Sequence, residues 1–177
     1  LFEKRFFVDI SNDKGKKVTF TGVIDKIIYD ELNNNNYVSI VDYKTGKLPS
    51  ELNNIIYGIG MQLPIYVYLI KRSDLFPNSE IVGFYLQKII NKDMKRTINK
   101  SIDELKENAL KLVGYSNCDE DIISKFDMTY NDSNLISGLK QKNDGDFYNY
   151  SKVLSNEEIG KMDNLVSNNI SKASKQI

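Results

Sequence analysis

Residues 18–44 read VTFTGVIDKIIYDELNNNNYVSIVDYK. Two runs rich in β-branched and aromatic residues, 18–29 and 37–43, flank the polar stretch 30–36, a pattern that predicts two antiparallel strands joined by a solvated loop. Each run carries one anomaly. Asp25 interrupts an otherwise apolar segment, and Asp42 does the same on the next strand, two residues before Lys44. Burying a lone carboxylate is costly unless a cation pairs with it. Residues two apart on a strand share a face, so Asp42 and Lys44 point the same way. Pairing of the two strands brings Asp25 within reach of Asp42. Two hard oxygen ligands with an ammonium beside them suit Mg²⁺ or Mn²⁺ holding a phosphate.

Outward from this pair, residues 2–10 repeat the strand pattern and Asp13-Lys14-Gly15 supplies a turn, which completes a three-stranded meander. Residues 52–71 then carry apolar side chains at helical spacing, with Pro64 expected to kink the helix or to make it begin near Ile59. Residues 81–90 alternate as a fourth strand. Ser101-Ile102-Asp103-Glu104 and Ser155-Asn156-Glu157-Glu158 are capping boxes. The first leads into a short amphipathic helix over 105–113 closed by Gly114, the second into a C-terminal helix over about 156–175. Residues 117–150 are polar and weakly patterned, and read as a loop-rich excursion with a short strand or two. The fold class is α/β, with a central mixed sheet flanked by helices in one domain spanning 1–177.

Composition narrows the chemistry. The 177 residues are 41% hydrophobic, enough for one buried core. Lys plus Arg equals Asp plus Glu at 24 each, so affinity for DNA must come from local clusters. One such cluster is Lys88, Lys92, Lys95, Arg96 and Lys100 within residues 87–100, suited to tracking phosphates. His is absent, which removes the usual general base and every Ser-His or Cys-His nucleophile pair. Cys118 is the single cysteine, so no disulfide or multi-Cys metal site forms within these residues. Cys118 has no basic neighbour and receives no role. No stretch approaches a membrane span. The first residue is Leu1, with no leader-like segment behind it, so the chain reads as a piece of a longer protein, and the single cysteine fits a reducing compartment such as the cytoplasm.

The order Gly-Val-Ile-Asp-Lys-Ile (22–27), Ile-Val-Asp-Tyr-Lys-Thr-Gly-Lys (40–47) and Gln-Leu-Pro-Ile-Tyr (62–66) resembles the RecB-type branch of the PD-(D/E)XK nucleases. Within that branch it is most similar to the C-terminal nuclease domains of AddB-type helicase–nuclease subunits. The resemblance implies a restriction-endonuclease-like core and metal-dependent DNA exonuclease activity in double-strand-break repair. It implies Asp25 and Asp42 as metal ligands, and Lys44 as the residue that orients the attacking water and offsets charge on the phosphate. Gln62 and Tyr66 match the helix motif that positions DNA or the water, and Glu3 matches an acidic residue ahead of the core strands. It further implies single-stranded DNA ends as substrate and a helicase subunit of the AddA type as partner. An iron–sulfur cluster is possible in the parent but not within this chain. Two competing readings remain: a non-catalytic DNA-binding or scaffolding module, and a stand-alone phage or repair exonuclease.

Overall fold

The computed structural model describes residues 1–11, 15–46, 48, 52–89 and 101–176. Strands β1 (Phe2–Ser11), β2 (Lys17–Leu32) and β3 (Asn35–Lys44) form the expected antiparallel meander. Asp13 and Lys14 of the first turn lie outside the described residues. The second connection is tighter than the seven-residue loop expected: the strands run to Leu32 and from Asn35, and only Asn33 and Asn34 turn the chain, with φ of +52° and +66°. Two consecutive left-handed residues make the hairpin turn whose twist matches the strands, and Asn tolerates that region better than most side chains.

A 3-10 segment (Leu52–Tyr57) and helix α1 (Gln62–Lys71) replace the single helix expected over 52–71. Pro64 sits in the first turn of α1, where its missing N–H costs no intrahelical bond, so it helps start the helix rather than kink it. Strand β4 (Ser79–Lys88) then lies parallel to β3. Helix α2 runs Ile102–Leu110 with the full capping box on Ser101 and Glu104. Gly114 does not close it. It belongs to β5 (Val113–Asn117), antiparallel to β4, a strand the sequence pattern hid because Val113 and Tyr115 are its only large apolar side chains. After the short helix α3 (Glu120–Ile123), β6 (Val153–Leu154) pairs parallel to β5 and α4 (Asn156–Ser174) ends the fold, capped by Ser155 and Glu158.

The six strands follow one another in the sheet in chain order. On one face α1 and α4 cover the larger core, which includes Ile24, Ile40, Val67, Leu69, Phe84 and Val166. The other face carries Val41, Tyr85, Leu112, Ile123, Ile136 and Leu139. Helix α1 is buried almost all round, from Leu63 to Ile70, because it is sandwiched between sheet and α4. No helix among the described residues is long and apolar enough to cross a membrane.

A bidentate ion pair fixes α4 to α1. Arg72 Nη1 and Nη2 donate to Asp163 Oδ1 and Oδ2 at 2.8 and 3.0 Å, and the guanidinium lies 3.7 Å from the Tyr68 ring centroid. The Asp163 side chain is only 9% exposed, so removing it leaves a half-buried cation without its fork partner. Asp163→Ala is expected to cost about 2–3 kcal/mol, less than a fully buried pair because Arg72 still reaches solvent. A chemical-denaturation midpoint measures this, and an unchanged midpoint would refute it.

Candidate active site

The site is built where β2, β3 and the start of α1 meet. The β2–β3 ladder pairs Ile27 with Ile40 and Lys26 with Val41, which sets Asp25 level with Asp42 one step further on. There a side chain takes over from the backbone: Asp25 Oδ2 accepts the Tyr43 N–H at 2.9 Å. Asp42 and Lys44 share the face that α1 covers, as their spacing predicts. Lys44 Nζ approaches Asp42 Oδ2 at 2.5 Å.

Gln62 is the first residue of α1, and Met61 before it provides no side-chain cap, so the amide is free to serve the sheet instead. Gln62 Nε2 donates to Asp42 Oδ1 at 2.7 Å and lies 2.9 Å from the Tyr66 hydroxyl, while its Oε1 accepts from Lys44 Nζ at 2.6 Å. One turn later, the Tyr66 hydroxyl donates a long bond to Asp42 Oδ1 at 3.4 Å. Five residues singled out from sequence, Asp25, Asp42, Lys44, Gln62 and Tyr66, therefore converge on one spot.

Asp42 is 1% exposed. Burial pushes its carboxyl above the ordinary range, and the Lys44 bond and charge oppose that rise without cancelling it. The Asp25 charge adds to the rise. Burial likewise raises the Tyr66 phenol, with the neighbouring carboxylates adding to it, so Tyr66 is a neutral hydrogen-bond donor here. Asp42 Oδ2 is sealed from solvent, and among the described residues its one close partner is the Lys44 ammonium of the ion pair. A buried anionic oxygen with spare lone pairs, next to a second carboxylate, is a donor set that fits a hard divalent cation. Among the described residues no three His, Cys, Asp or Glu side chains converge, so Asp25 and Asp42 would share such an ion with solvent or substrate oxygens.

The remaining candidates fall out differently. Glu3 sits between the Phe2–Lys26 and Lys4–Ile24 pairs, level with Asp25, but is exposed and takes a left-handed φ of +47°. Lys88 aligns with Lys44 across the parallel β3–β4 ladder, which places a second cation on the same row of the sheet. Lys92, Lys95, Arg96 and Lys100 lie outside the described residues. Cys118 is half-buried and its thiol is pushed up by burial, consistent with an inert side chain. Reading the sequence alone misses Leu86, Val113 and Tyr115 as neighbours of the site, on β4 and β5. With β5 unrecognised, nothing in the pattern places Val113 and Tyr115 there, and the strand expected over 81–90 carries Leu86 without revealing its register beside Asp42.

The PD-(D/E)XK nuclease superfamily matches residues 2–144. This chain belongs to that superfamily. As a PD-(D/E)XK domain it has the restriction-endonuclease-like α/β core, here a mixed six-stranded sheet with flanking helices. It is similar to an AddB-type subunit of the ATP-dependent helicase/deoxyribonuclease of Clostridium acetobutylicum, 28% identical over 144 residues, 78% of this chain and 12% of that protein. The subunit of the same name from Thermoanaerobacter sp. is 26% identical over 175 residues, 96% of the chain and 15% of the relative. That of Ruminiclostridium cellulolyticum is 33% identical over 133 residues, 72% and 12% respectively. The chain thus spans only 12–15% of the length of these relatives.

Proposed function

We propose that this PD-(D/E)XK domain is a metal-dependent DNA exonuclease that works as one unit, residues 1–177, of an AddB-like helicase–nuclease in double-strand-break repair. The observation that carries the reading is the single network joining Asp42, Lys44, Gln62 and Tyr66 beside Asp25. Its substrate is single-stranded DNA ends, delivered by a helicase subunit of the AddA type, in the cytoplasm. The name the relatives share, ATP-dependent helicase/deoxyribonuclease, supports the helicase partner and the DNA substrate.

Asp25 and Asp42 would hold Mg²⁺ or Mn²⁺. When bound, such an ion lowers the pKa of water and stabilises charge on the phosphate oxygens. The chain's own groups do the rest. Lys44 places a positive charge against the scissile phosphate and steers the attacking water. Gln62 holds both the Lys44 ammonium and Asp42 Oδ1, so it locks the rotamers of the two groups that must face the phosphate together. Tyr66 donates to the same Asp42 oxygen as Gln62, so the two together fix the orientation of the carboxylate. Lys88, on the same row as Lys44, adds to the field that draws in the strand.

Hydrolysis of 5′-labelled single-stranded DNA tests this. With Mg²⁺ or Mn²⁺ the chain is expected to release short products, and a chelator is expected to stop the reaction. Lys44→Ala should lower the rate by about 10²-fold or more, with DNA still bound. Absence of hydrolysis in the wild-type chain with either ion would favour the scaffolding module. Equal rates with and without Lys44 would remove the site from the chemistry.

A further inference from the structure

Beside the carboxylates, on the α1 face of the sheet, opens a cavity of about 310 Å³. Its position follows from strand register. Asp42 pairs with Leu86, and Leu86 pairs with Val113, so the three form one row across β3, β4 and β5. Leu86 and Val113 line the cavity. Neighbouring strands lie roughly 4.8 Å apart, so its floor extends about 5–10 Å sideways from Asp42.

Tyr115 supplies a flat wall. Its ring is stacked on Phe84, with centroids 5.7 Å apart and planes at 23°, and its hydroxyl accepts the Leu52 N–H at 3.3 Å. Met61, just ahead of α1, lines the cavity as well. Two polar side chains complete the lining: the Gln62 amide, already bonded to Asp42 and Lys44, and Lys152, whose ammonium lies 5.7 Å from the Tyr115 ring centroid. The volume falls at the small end of the roughly 300–1,000 Å³ typical of small-molecule sites.

A largely apolar slot with one aromatic wall and a cationic group, joined through Gln62 to a phosphate-binding centre, has a definite complement. We infer that it seats the nucleobase of the nucleotide whose phosphate is held at Asp42 and Lys44. This rests on the nuclease reading and deepens it. Leu86, Val113 and Tyr115 receive the base by apolar contact and stacking, which is tolerant of sequence because every base has a π-face. Lys152 lies where it can meet a flanking phosphate, adding the salt-sensitive part of the affinity.

Calorimetry with dAMP, dTMP and 2-deoxyribose 5-phosphate, together with hydrolysis of a DNA strand carrying one abasic nucleotide, tests the assignment. Both nucleotides are expected to bind at least about ten-fold more tightly than the sugar phosphate, the scale of one stacked base. The bond at the abasic nucleotide should be cut about ten-fold more slowly than the same bond in the intact strand. Val113→Phe, which fills the slot, should erase both differences. If that variant fails to fold, as circular dichroism would show, the wild-type comparison of base with no base decides alone. Equal binding of sugar phosphate and nucleotides, or equal cutting of intact and abasic strands, overturns the base pocket. A chain that prefers nucleotides to the sugar phosphate but cuts no DNA keeps the pocket and rejects the nuclease. One that cuts both strands alike keeps the nuclease and rejects the pocket.

Discussion

Asp42→Asn is expected to lower DNA hydrolysis by about 10³-fold or more while the folded state becomes no less stable. The two halves of this expectation come from the same burial. The ionised carboxylate is held at 1% exposure, and desolvation, the largest influence on it, raises its pKa despite the Lys44 partner. A group whose pKa is raised in the folded state favours folding at low pH and loses that contribution as pH rises through the folded value. At neutral pH the ionised Asp42 is therefore a burden on stability, borne for the sake of the site. Asparagine keeps the shape and keeps an acceptor for Gln62 and Tyr66, but it removes the anion that a divalent ion and Lys44 require. Lys44, with its side chain 25% exposed, retains access to water and to Gln62 Oε1, so no fully buried charge is orphaned. Thermal unfolding of Asp42→Asn near pH 7 should give a midpoint equal to or above that of the unmodified chain. A loss of more than about 1 kcal/mol would mean that the Asp42–Lys44 pair holds the fold together, contrary to its electrostatics.

Much of this site is legible in the sequence because its constraints are local. Asp42 and Lys44 lie two apart on one strand, so strand periodicity decides that they point the same way, whereas Gln62 and Tyr66 are reached through the family resemblance of residues 62–66. The α/β class follows from strand and helix periodicity, and the two capping boxes at Ser101 and Ser155 mark where α2 and α4 start. What stays hidden depends on contacts between distant segments. Strand β5 is five residues long, contains a glycine and follows a helix that ends at Leu110, so it has no pattern of its own. It exists because β4 offers it an edge. The Asn run misleads in the opposite direction: its polarity suggests a long loop, whereas left-handed conformations at Asn33 and Asn34 close the hairpin in two residues. The base pocket is invisible for the first reason, since Val113, Gly114 and Tyr115 of its lining are built on β5.

The glycine that disguises β5 is also where the largest loss of stability is expected. Tyr85, fully buried on the face opposite α1, is flanked by two glycines: Gly83, two residues before it on the same face, and Gly114, its partner across the β4–β5 ladder. A methyl group on Gly83 would overlap the Tyr85 ring and hydroxyl. That hydroxyl is hydrogen-bonded to Ser116 Oγ at 2.9 Å, and Phe126 stacks on the ring at 5.6 Å, so the side chain has nowhere to go. A methyl group on Gly114 would instead overlap the backbone carbonyl oxygen of Phe84 and approach Tyr85 Cα. Both substitutions overpack the sheet, but the obstacles differ in kind, and a double-mutant comparison separates them. Gly83→Ala is expected to cost about 2–3 kcal/mol alone and less than about 1 kcal/mol in a Tyr85→Leu background, where the ring and hydroxyl are gone. Gly114→Ala is expected to cost about 3 kcal/mol or more in either background, because no side-chain change moves the Phe84 carbonyl without parting β5 from β4. Parting them would open the base pocket at Leu86 and Val113 while leaving Asp25, Asp42 and Lys44 on β2 and β3 untouched. Denaturation midpoints read the first effect. If Tyr85→Leu rescues Gly114→Ala as fully as it rescues Gly83→Ala, the close approach of the two backbones is not what reserves position 114 for glycine.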